Sequence, residues 1–278
     1  TFDVATAGAI NRFAFYICIP ALGFRLITNA PLEEFDPLLL AGFLATEIVM
    51  YGSGYVIGRF MFKTSRREAI LLGLACALTN HILFVLPIAI NLFGEEAAAP
   101  IVAIITMDSI LLFSATSMTM DIIIHKDKSI FHLLGKIARN PPVVAMGSGL
   151  IVALAGFDVP SNIDLFLKFA GSAAAPCALF ALGVILSQKQ EAGRAMLPVS
   201  LTVLKLVVHP ALAWLILITL FGLPETISTP AMMVAAAPCG AMAFVLALNY
   251  QVRVDAIARA ILYSSIGSLV TITLAAAL

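Results

Sequence analysis

Apolar stretches of about 20 residues, separated by short polar segments, recur along almost the whole chain. Such a stretch, when helical, matches the thickness of a bilayer's hydrocarbon core. Inside hydrocarbon every backbone N–H and C=O must find its partner within the protein, so only helices or closed barrels span a membrane. Charged residues make up only 12% of the sequence, against about 25% in soluble domains. The sequence therefore predicts an all-α integral membrane protein.

The polar segments divide the chain into nine predicted spans, at roughly 8–28, 38–61, 68–93, 97–124, 140–157, 162–187, 195–221, 229–250 and 256–278. Loops rich in Lys and Arg alternate with loops whose charges are Glu and Asp. Because basic loops stay in the cytoplasm, the alternation predicts a multi-pass protein of the inner (plasma) membrane. Its visible N-terminus is then cytoplasmic and its C-terminus extracytoplasmic. The basic residues are Lys63, Arg66 and Arg67; Lys126, Lys128, Lys136 and Arg139; Lys189 and Arg194; Arg253 and Arg259.

Short motifs recur in the two halves of the chain at a nearly constant offset. Phe13-Ala14 recurs as Phe169-Ala170, and Phe84-Val85-Leu86 recurs as Phe244-Val245-Leu246. Corresponding spans begin on opposite sides of the membrane, which predicts inverted repeats with an odd number of spans each.

The predicted organisation is a first inverted repeat at 1–124, a cytoplasmic linker at 125–139 and a second inverted repeat at 140–278. The second repeat has five spans, whereas the first has four. We therefore expect one further helix ahead of the first visible span.

Two spans in corresponding places of the two halves contain residues that interrupt a helix. Pro238 and Gly240 fall in one of them, and Asn80 and Pro87 fall in the other. A proline inside a helix removes a hydrogen bond and clashes with the preceding turn. At membrane depth, such irregular backbone is tolerated only where protein or a cavity surrounds it, and it points to a transporter's binding site. The predicted substrate contacts are Asn80, His81, Pro87, Pro238, Cys239 and Gly240.

Interrupted helices suit the binding of an anion. The N–H groups at each new helix N-terminus, together with the helix dipole, favour negative charge. The Asn80 amide can donate a hydrogen bond to a carboxylate, and Gly240 allows close approach of the backbone. His81 either bonds the substrate or satisfies carbonyls that the break sets free.

Four further ionisable residues are predicted deep in the membrane, where a charge costs about 2.5–3.5 kcal/mol and is a functional candidate by default. Glu47 and Lys205 occupy repeat-related positions, so they form either a proton-coupling pair or a structural ion pair. Lys205 is alternatively a counter-charge for the substrate. Asp108 either lines the cavity or caps a helix terminus. His209 either bonds the helix backbone before Pro210 or, like Glu47, Lys205 and Asp108, has a proton-coupling or charge-compensating role.

Several of these stretches resemble the auxin efflux carrier family, which includes plant carriers and bacterial relatives. The resemblance rests on Asn80 with Pro87, on Pro238-Cys239-Gly240 with Phe244-Val245, and on Lys205-Leu-Val-Val-His-Pro210. It implies two inverted five-helix repeats with crossed broken helices, as in bile-acid transporters and sodium/proton antiporters, and an elevator-type movement. It also implies a small organic anion, such as a mono- or dicarboxylate, as substrate.

We therefore expect a secondary carrier that is coupled to protons or to the membrane potential. A cation/proton antiporter of the same architecture and a membrane sensor that binds without transport are the alternatives. No residue spacing suggests an enzyme, a metal site or a cofactor, and a net charge of zero argues against nucleic acid as a partner. The lipid bilayer is an obligatory partner, and small residues such as Gly54 and Gly58 permit association into a homodimer.

Overall fold

The computed structural model describes residues 2–125, 134–135, 137–187 and 195–277 of the chain, with backbone only at position 83. Most of the predicted linker 125–139 lies outside the described residues. So do the predicted cytoplasmic charges Lys126, Lys128, Lys136, Lys189 and Arg194. Within the described ranges every regular element is helical and none belongs to a β-sheet, so the all-α prediction is confirmed for this part of the chain.

Six helices among the described residues are long and apolar enough to cross a membrane. They are Val4–Thr28, Pro37–Met61, Glu95–Ile124, Ser161–Ser187, Met196–Leu220 and Asp255–Ala276. A seventh apolar helix, Pro141–Leu154, is shorter. A 3₁₀ turn, Leu32–Glu34, precedes the second of the long helices.

Two of the predicted spans are each built from two helices with a short extended segment between them. The first arm, as we call it, consists of Arg66–Ala77, a π-helical turn at His81–Val85, and Leu86–Phe93. The second arm consists of Glu225–Ala235 and Ala241–Asn249. The count of nine spans and the inverted repeats remain predictions.

The last helix, Asp255–Ala276, shows how the sequence is adapted to lipid. A row of buried residues three or four positions apart runs along it and includes two serines: Ile257, Ile261, Ser264, Ser268, Ile272 and Ala275. Its other face exposes large apolar side chains such as Ile266, Leu269 and Val270, each more than 60% exposed. Apolar side chains outside and hydroxyl groups inside are the arrangement that hydrocarbon favours, because small and polar residues pack helix against helix there.

Three prolines within the apolar helices closely follow π-helical turns. Pro20, Pro87 and Pro210 are each the second residue after such a turn: Ala14–Cys18, His81–Val85 and Leu204–Val208. A proline lacks the N–H for the hydrogen bond of an α-helix, and its ring collides with the carbonyl of the preceding turn. The wider π turn removes this conflict without ending the helix.

π-helical turns also keep one face of helix Met196–Leu220 buried along its whole length. Its fully buried residues lie four apart along the whole helix: Leu197, Leu201, Lys205, His209, Ala213 and Leu217. In an α-helix each step of four residues overshoots a full turn by about 40°, so this stripe would wind to the opposite side. The π-helical segments Leu204–Val208 and Trp214–Leu220 take more residues per turn and hold the stripe on one side. Lys205 and His209 are inside for this reason.

The described residues form two compact units. The first comprises those of Thr1–Ala30, Thr106–Gln188 and Val245–Val252. In it the long helix Val4–Thr28 packs against Pro141–Leu154 and Ser161–Ser187.

The second unit comprises the described residues of Pro31–Ile105, Lys189–Phe244 and Arg253–Leu278. Its most extensive packing joins Pro37–Val56 to Arg66–Ala77. A Cβ at Gly73 would lie 2.6 Å from the Tyr51 carbonyl oxygen, so only glycine allows this approach. Each unit draws residues from both predicted repeats, whose boundaries therefore remain a prediction.

Candidate functional site

The two arms meet at a single antiparallel β-bridge between Thr79 and Cys239. The Asn80 N–H donates to the Pro238 carbonyl at 3.0 Å, and the Gly240 N–H donates to the Leu78 carbonyl at 2.9 Å. Each arm thus satisfies backbone groups that the other arm's break leaves open. This is how irregular backbone persists in a segment of membrane-spanning length.

Gly240 is required for the close contact at this bridge. A Cβ at position 240 would lie 2.9 Å from the Thr79 carbonyl oxygen and 3.2 Å from its carbonyl carbon. Both are backbone atoms, which cannot rotate away as a side chain can. The sequence prediction that Gly240 permits close backbone approach agrees with this geometry.

Four helix ends converge on the bridge. Arg66–Ala77 and Glu225–Ala235 end just before it, while the π turn at His81 and the helix at Ala241 begin just after it. The N–H groups in the first turn of a helix lack partners within that helix, and the helix dipole places partial positive charge there. Two adjacent N-termini therefore provide a local preference for an anion.

Lys205 contacts the end of the first arm. Its Nζ donates to the Ala77 carbonyl at 2.8 Å and to the Thr79 hydroxyl oxygen at 2.6 Å, and lies 3.0 Å from Nδ1 of His209. The side chain is fully buried. Its charge is close to the carbonyl end of a helix, where a cation is stabilised.

Neutral groups hold the second arm. The Thr271 hydroxyl donates to the Ala236 carbonyl at 2.6 Å, and the Cys239 N–H donates to Oγ of Ser264 at 3.1 Å. Both hydroxyls come from Asp255–Ala276. The two arms therefore differ in electrostatics, since one ends at an ammonium group and the other at hydroxyl groups.

Asn80 lies at the start of the π turn and is half-buried. Among the described residues its side chain makes no hydrogen bond, not even to the helix that it precedes. The amide is therefore available to a ligand. His81, the next residue, is buried. Pro87 is exposed and lies in Leu86–Phe93, beyond the bridge.

The remaining predicted residues lie on three helices. Glu47 is fully buried on Pro37–Val56, one turn after Phe43, whose ring centroid is 5.8 Å from that of His209. Asp108 is buried in Glu95–Ile124 and belongs to the first unit. The prediction that His209 bonds the helix backbone is wrong, because its Nδ1 instead faces Lys205 Nζ one turn earlier.

Several polar contacts were not predicted from the sequence. Thr79, Ser264 and Thr271 bond to groups of the arms, yet a hydroxyl in an apolar helix gives no signal beyond small-residue packing. In the first unit, Asn140 donates to Oγ of Ser117 at 2.8 Å and to Oδ2 of Asp121 at 2.8 Å. The Tyr250 hydroxyl, just after the second arm, joins this cluster through the Ser117 carbonyl at 3.0 Å, and the Asn11 amide donates to the Val245 carbonyl.

Apolar helices of membrane-spanning length, together with two interrupted helices that meet at one bridge, are the architecture of a membrane transporter. The chain belongs to the membrane transport protein family, that of the auxin efflux carriers, whose model matches residues 1–276. The resemblance seen in the sequence is thus confirmed, and membership identifies a transporter and not an enzyme.

Two relatives support this assignment over nearly the whole chain. A protein of Rhizobium meliloti (strain 1021) named "Putative malonate transporter" is 30% identical, and the match covers 96% of this chain and 85% of the relative. An uncharacterized transporter of Methanocaldococcus jannaschii is 26% identical, covering 96% of this chain and 88% of the relative.

Proposed function

We propose that this protein is a secondary transporter of a small organic anion, a mono- or dicarboxylate such as malonate. The observation that carries the proposal is the convergence of two helix N-termini and the Asn80 amide at a bridge flanked by the buried ammonium of Lys205. Helix N-termini, a neutral amide donor and a fixed positive charge all favour a carboxylate over a cation. The printed name of the Rhizobium relative supports the same class of substrate.

The proposed mechanism is elevator-type alternating access across the inner or plasma membrane. The second unit contains the whole bridge with Asn80, Gly240 and Lys205, so it is the unit proposed to carry the anion. The alternating charges of the loops support an N-terminus in the cytoplasm and a C-terminus outside it. A homodimer remains a prediction.

The first test is binding and transport of malonate by the purified protein. At a ligand concentration of about 100 times Kd, a ligand that binds only the native state stabilises it by about 2.7 kcal/mol. For a protein of this size that is a rise in Tm of about 5–10 °C. Succinate and acetate test chain length and charge, and choline tests the preference for anions.

Uptake of radiolabelled malonate into proteoliposomes then separates transport from binding alone. Uptake above that of protein-free liposomes is expected. Saturable binding without uptake would identify a ligand sensor, and binding of cations in place of carboxylates would favour an antiporter.

Glu47 is proposed to couple transport to protons, because it is a fully buried carboxyl group one turn after Phe43, whose ring centroid lies 5.8 Å from that of His209. A transport step that requires one proton changes by up to about tenfold per pH unit. Glu47→Gln should flatten the pH profile of uptake, since glutamine imitates the protonated acid. The exposed Glu33→Gln variant is the matched control and should keep the parent's profile. A Glu47→Gln profile with the parent's slope would leave Glu47 a structural role only.

A further inference from the structure

The buried ammonium of Lys205 lies among groups of the kind that bind a monovalent cation. It contacts a backbone carbonyl oxygen at Ala77, a hydroxyl oxygen at Thr79 and an imidazole nitrogen at His209, all within 3.0 Å. In transporters with discontinuous helices, unwound carbonyls and the C-terminal ends of half-helices coordinate a small cation. Ala77 is the last residue of such a half-helix.

The geometry suits a charged ammonium in particular. A lysine ammonium has three N–H donors and no acceptor, and these three contacts present acceptor atoms when Nδ1 of His209 is unprotonated. The second nitrogen of His209, Nε2, is buried and has no hydrogen-bond partner among the described residues. The imidazole is therefore turned to Lys205 through Nδ1.

The second arm indicates that a charge is not needed simply to satisfy a helix end. There the uncharged Thr271 hydroxyl donates a hydrogen bond to the Ala236 carbonyl at the helix end. Burying a charge at membrane depth costs free energy. A hydroxyl group could donate a hydrogen bond to the Ala77 carbonyl at a lower cost in free energy. The positive charge on the first arm thus calls for a role beyond capping.

Unlike a bound free ion, the Lys205 ammonium cannot dissociate into solvent, because it is part of a buried side chain. It lies in the middle of the buried stripe of Met196–Leu220, between Leu201 and His209, which are both fully buried. Helix and bridge belong to the same compact unit. The ammonium is therefore a resident positive charge at the end of the first arm.

We propose that Lys205 is a built-in cation: its ammonium fills a monovalent-cation site formed by the Ala77 carbonyl, the Thr79 hydroxyl and the His209 imidazole. Shortening the side chain opens this site to a free cation, for which the best match is a small protonated alkylamine. A further expectation rests on the proposed function: the carrier should bind its anion without a free alkali ion. Removal of the ammonium should make anion binding depend on an added cation.

The test compares the full-chain variant Lys205→Ala with Lys168→Ala, the same substitution at an exposed lysine. Melting temperatures are measured without substrate in chloride salts of n-propylammonium, sodium and choline at equal ionic strength. n-Propylammonium replaces the three carbons and the nitrogen that the substitution removes. Choline is too bulky and has no N–H donor.

In choline, Lys205→Ala should melt about 4–8 °C below the parent, because buried acceptors lose their partner. n-Propylammonium should restore more than half of this loss, and sodium should restore part of it. In each of the three salts, Lys168→Ala should have the same melting temperature as the parent. A loss that neither n-propylammonium nor sodium reduces would overturn the proposal, as would a Lys205→Ala variant as stable as Lys168→Ala.

The unaltered protein provides a second test that does not depend on the variant folding. Its affinity for malonate should be equal in sodium, potassium and choline chloride. A gain of tenfold or more in affinity on adding sodium, about 1.4 kcal/mol, would mean that a free cation enters the site and would overturn the built-in cation. If malonate does not bind in any salt, the proposed function fails, while the melting experiment still decides whether the cation site exists.

Discussion

Replacing Gly240 with alanine is expected to weaken anion binding by about ten- to a hundredfold and to lower stability as well. The new Cβ would lie 2.9 Å from the Thr79 carbonyl oxygen, so the two strands of the bridge must separate. Forcing a methyl group into a packed site costs about 1–3 kcal/mol, and each 1.4 kcal/mol in binding is about tenfold in Kd. Displacement of the bridge also displaces both helix N-termini that begin there. Binding is measured by malonate titration and stability by thermal unfolding.

Two other glycines separate the local effect from general loss of packing. Gly149→Ala places its Cβ 3.1 Å from the Phe24 carbonyl oxygen. Gly149 belongs to the first unit, whereas the bridge residues belong to the second. The substitution should lower Tm while malonate affinity stays near that of the parent. Gly52→Ala meets no atom within 4 Å and should change neither. An affinity loss in Gly149→Ala equal to that in Gly240→Ala would show that the bridge has no special role.

Replacing Asn80 with alanine is expected to weaken malonate binding by about ten- to a hundredfold without lowering stability. A hydrogen bond to a charged group contributes about 1.5–3 kcal/mol. The Asn80 side chain is half-buried and caps no helix end, so the folded protein loses little with it. Titration with malonate and thermal unfolding without ligand measure the two effects separately.

Asn91→Ala is the matched control on the same arm. The exposed Asn91 amide donates to the Pro87 carbonyl one turn earlier and to no other group in the described part of the chain. This variant should bind malonate like the parent. Asn80→Asp should bind more weakly still, since a second carboxylate repels the ligand. Unchanged affinity in Asn80→Ala would remove the amide from the site.

The interruptions of the two arms were predictable from sequence, but the exact position of one was not. Pro238 and Gly240 lie at the break of the second arm, as their chemistry implies. In the first arm the sequence places both Asn80 and Pro87 in the interrupted span, whereas the extended residues are Leu78 to Asn80. A π turn accommodates Pro87 within the helix, and single-sequence reasoning has no reliable sign of such a turn.

The partners of the buried polar residues could not be predicted, because they come from helices far apart in the chain. Lys205 was identified as the one basic residue deep in a span, but its contacts with Ala77 and Thr79 depend on tertiary packing. Ser264 and Thr271 were overlooked for a different reason. Serine and threonine commonly bond their own helix, so their sequence position does not reveal a bond to another helix.

The four-residue spacing of buried positions in Met196–Leu220 constrains how the length of this helix can change. A deletion of one residue within Leu204–Val208 would restore the hydrogen bonding of an α-helix. Because a π turn takes about one residue more than an α turn, such a deletion would leave His209, Ala213 and Leu217 on the buried side. A deletion in the α-helical part Met196–Val203 would instead rotate every later position by about 100° relative to the preceding residues. The π turn is therefore the place where this helix can lose a residue and keep the buried face of its C-terminal half.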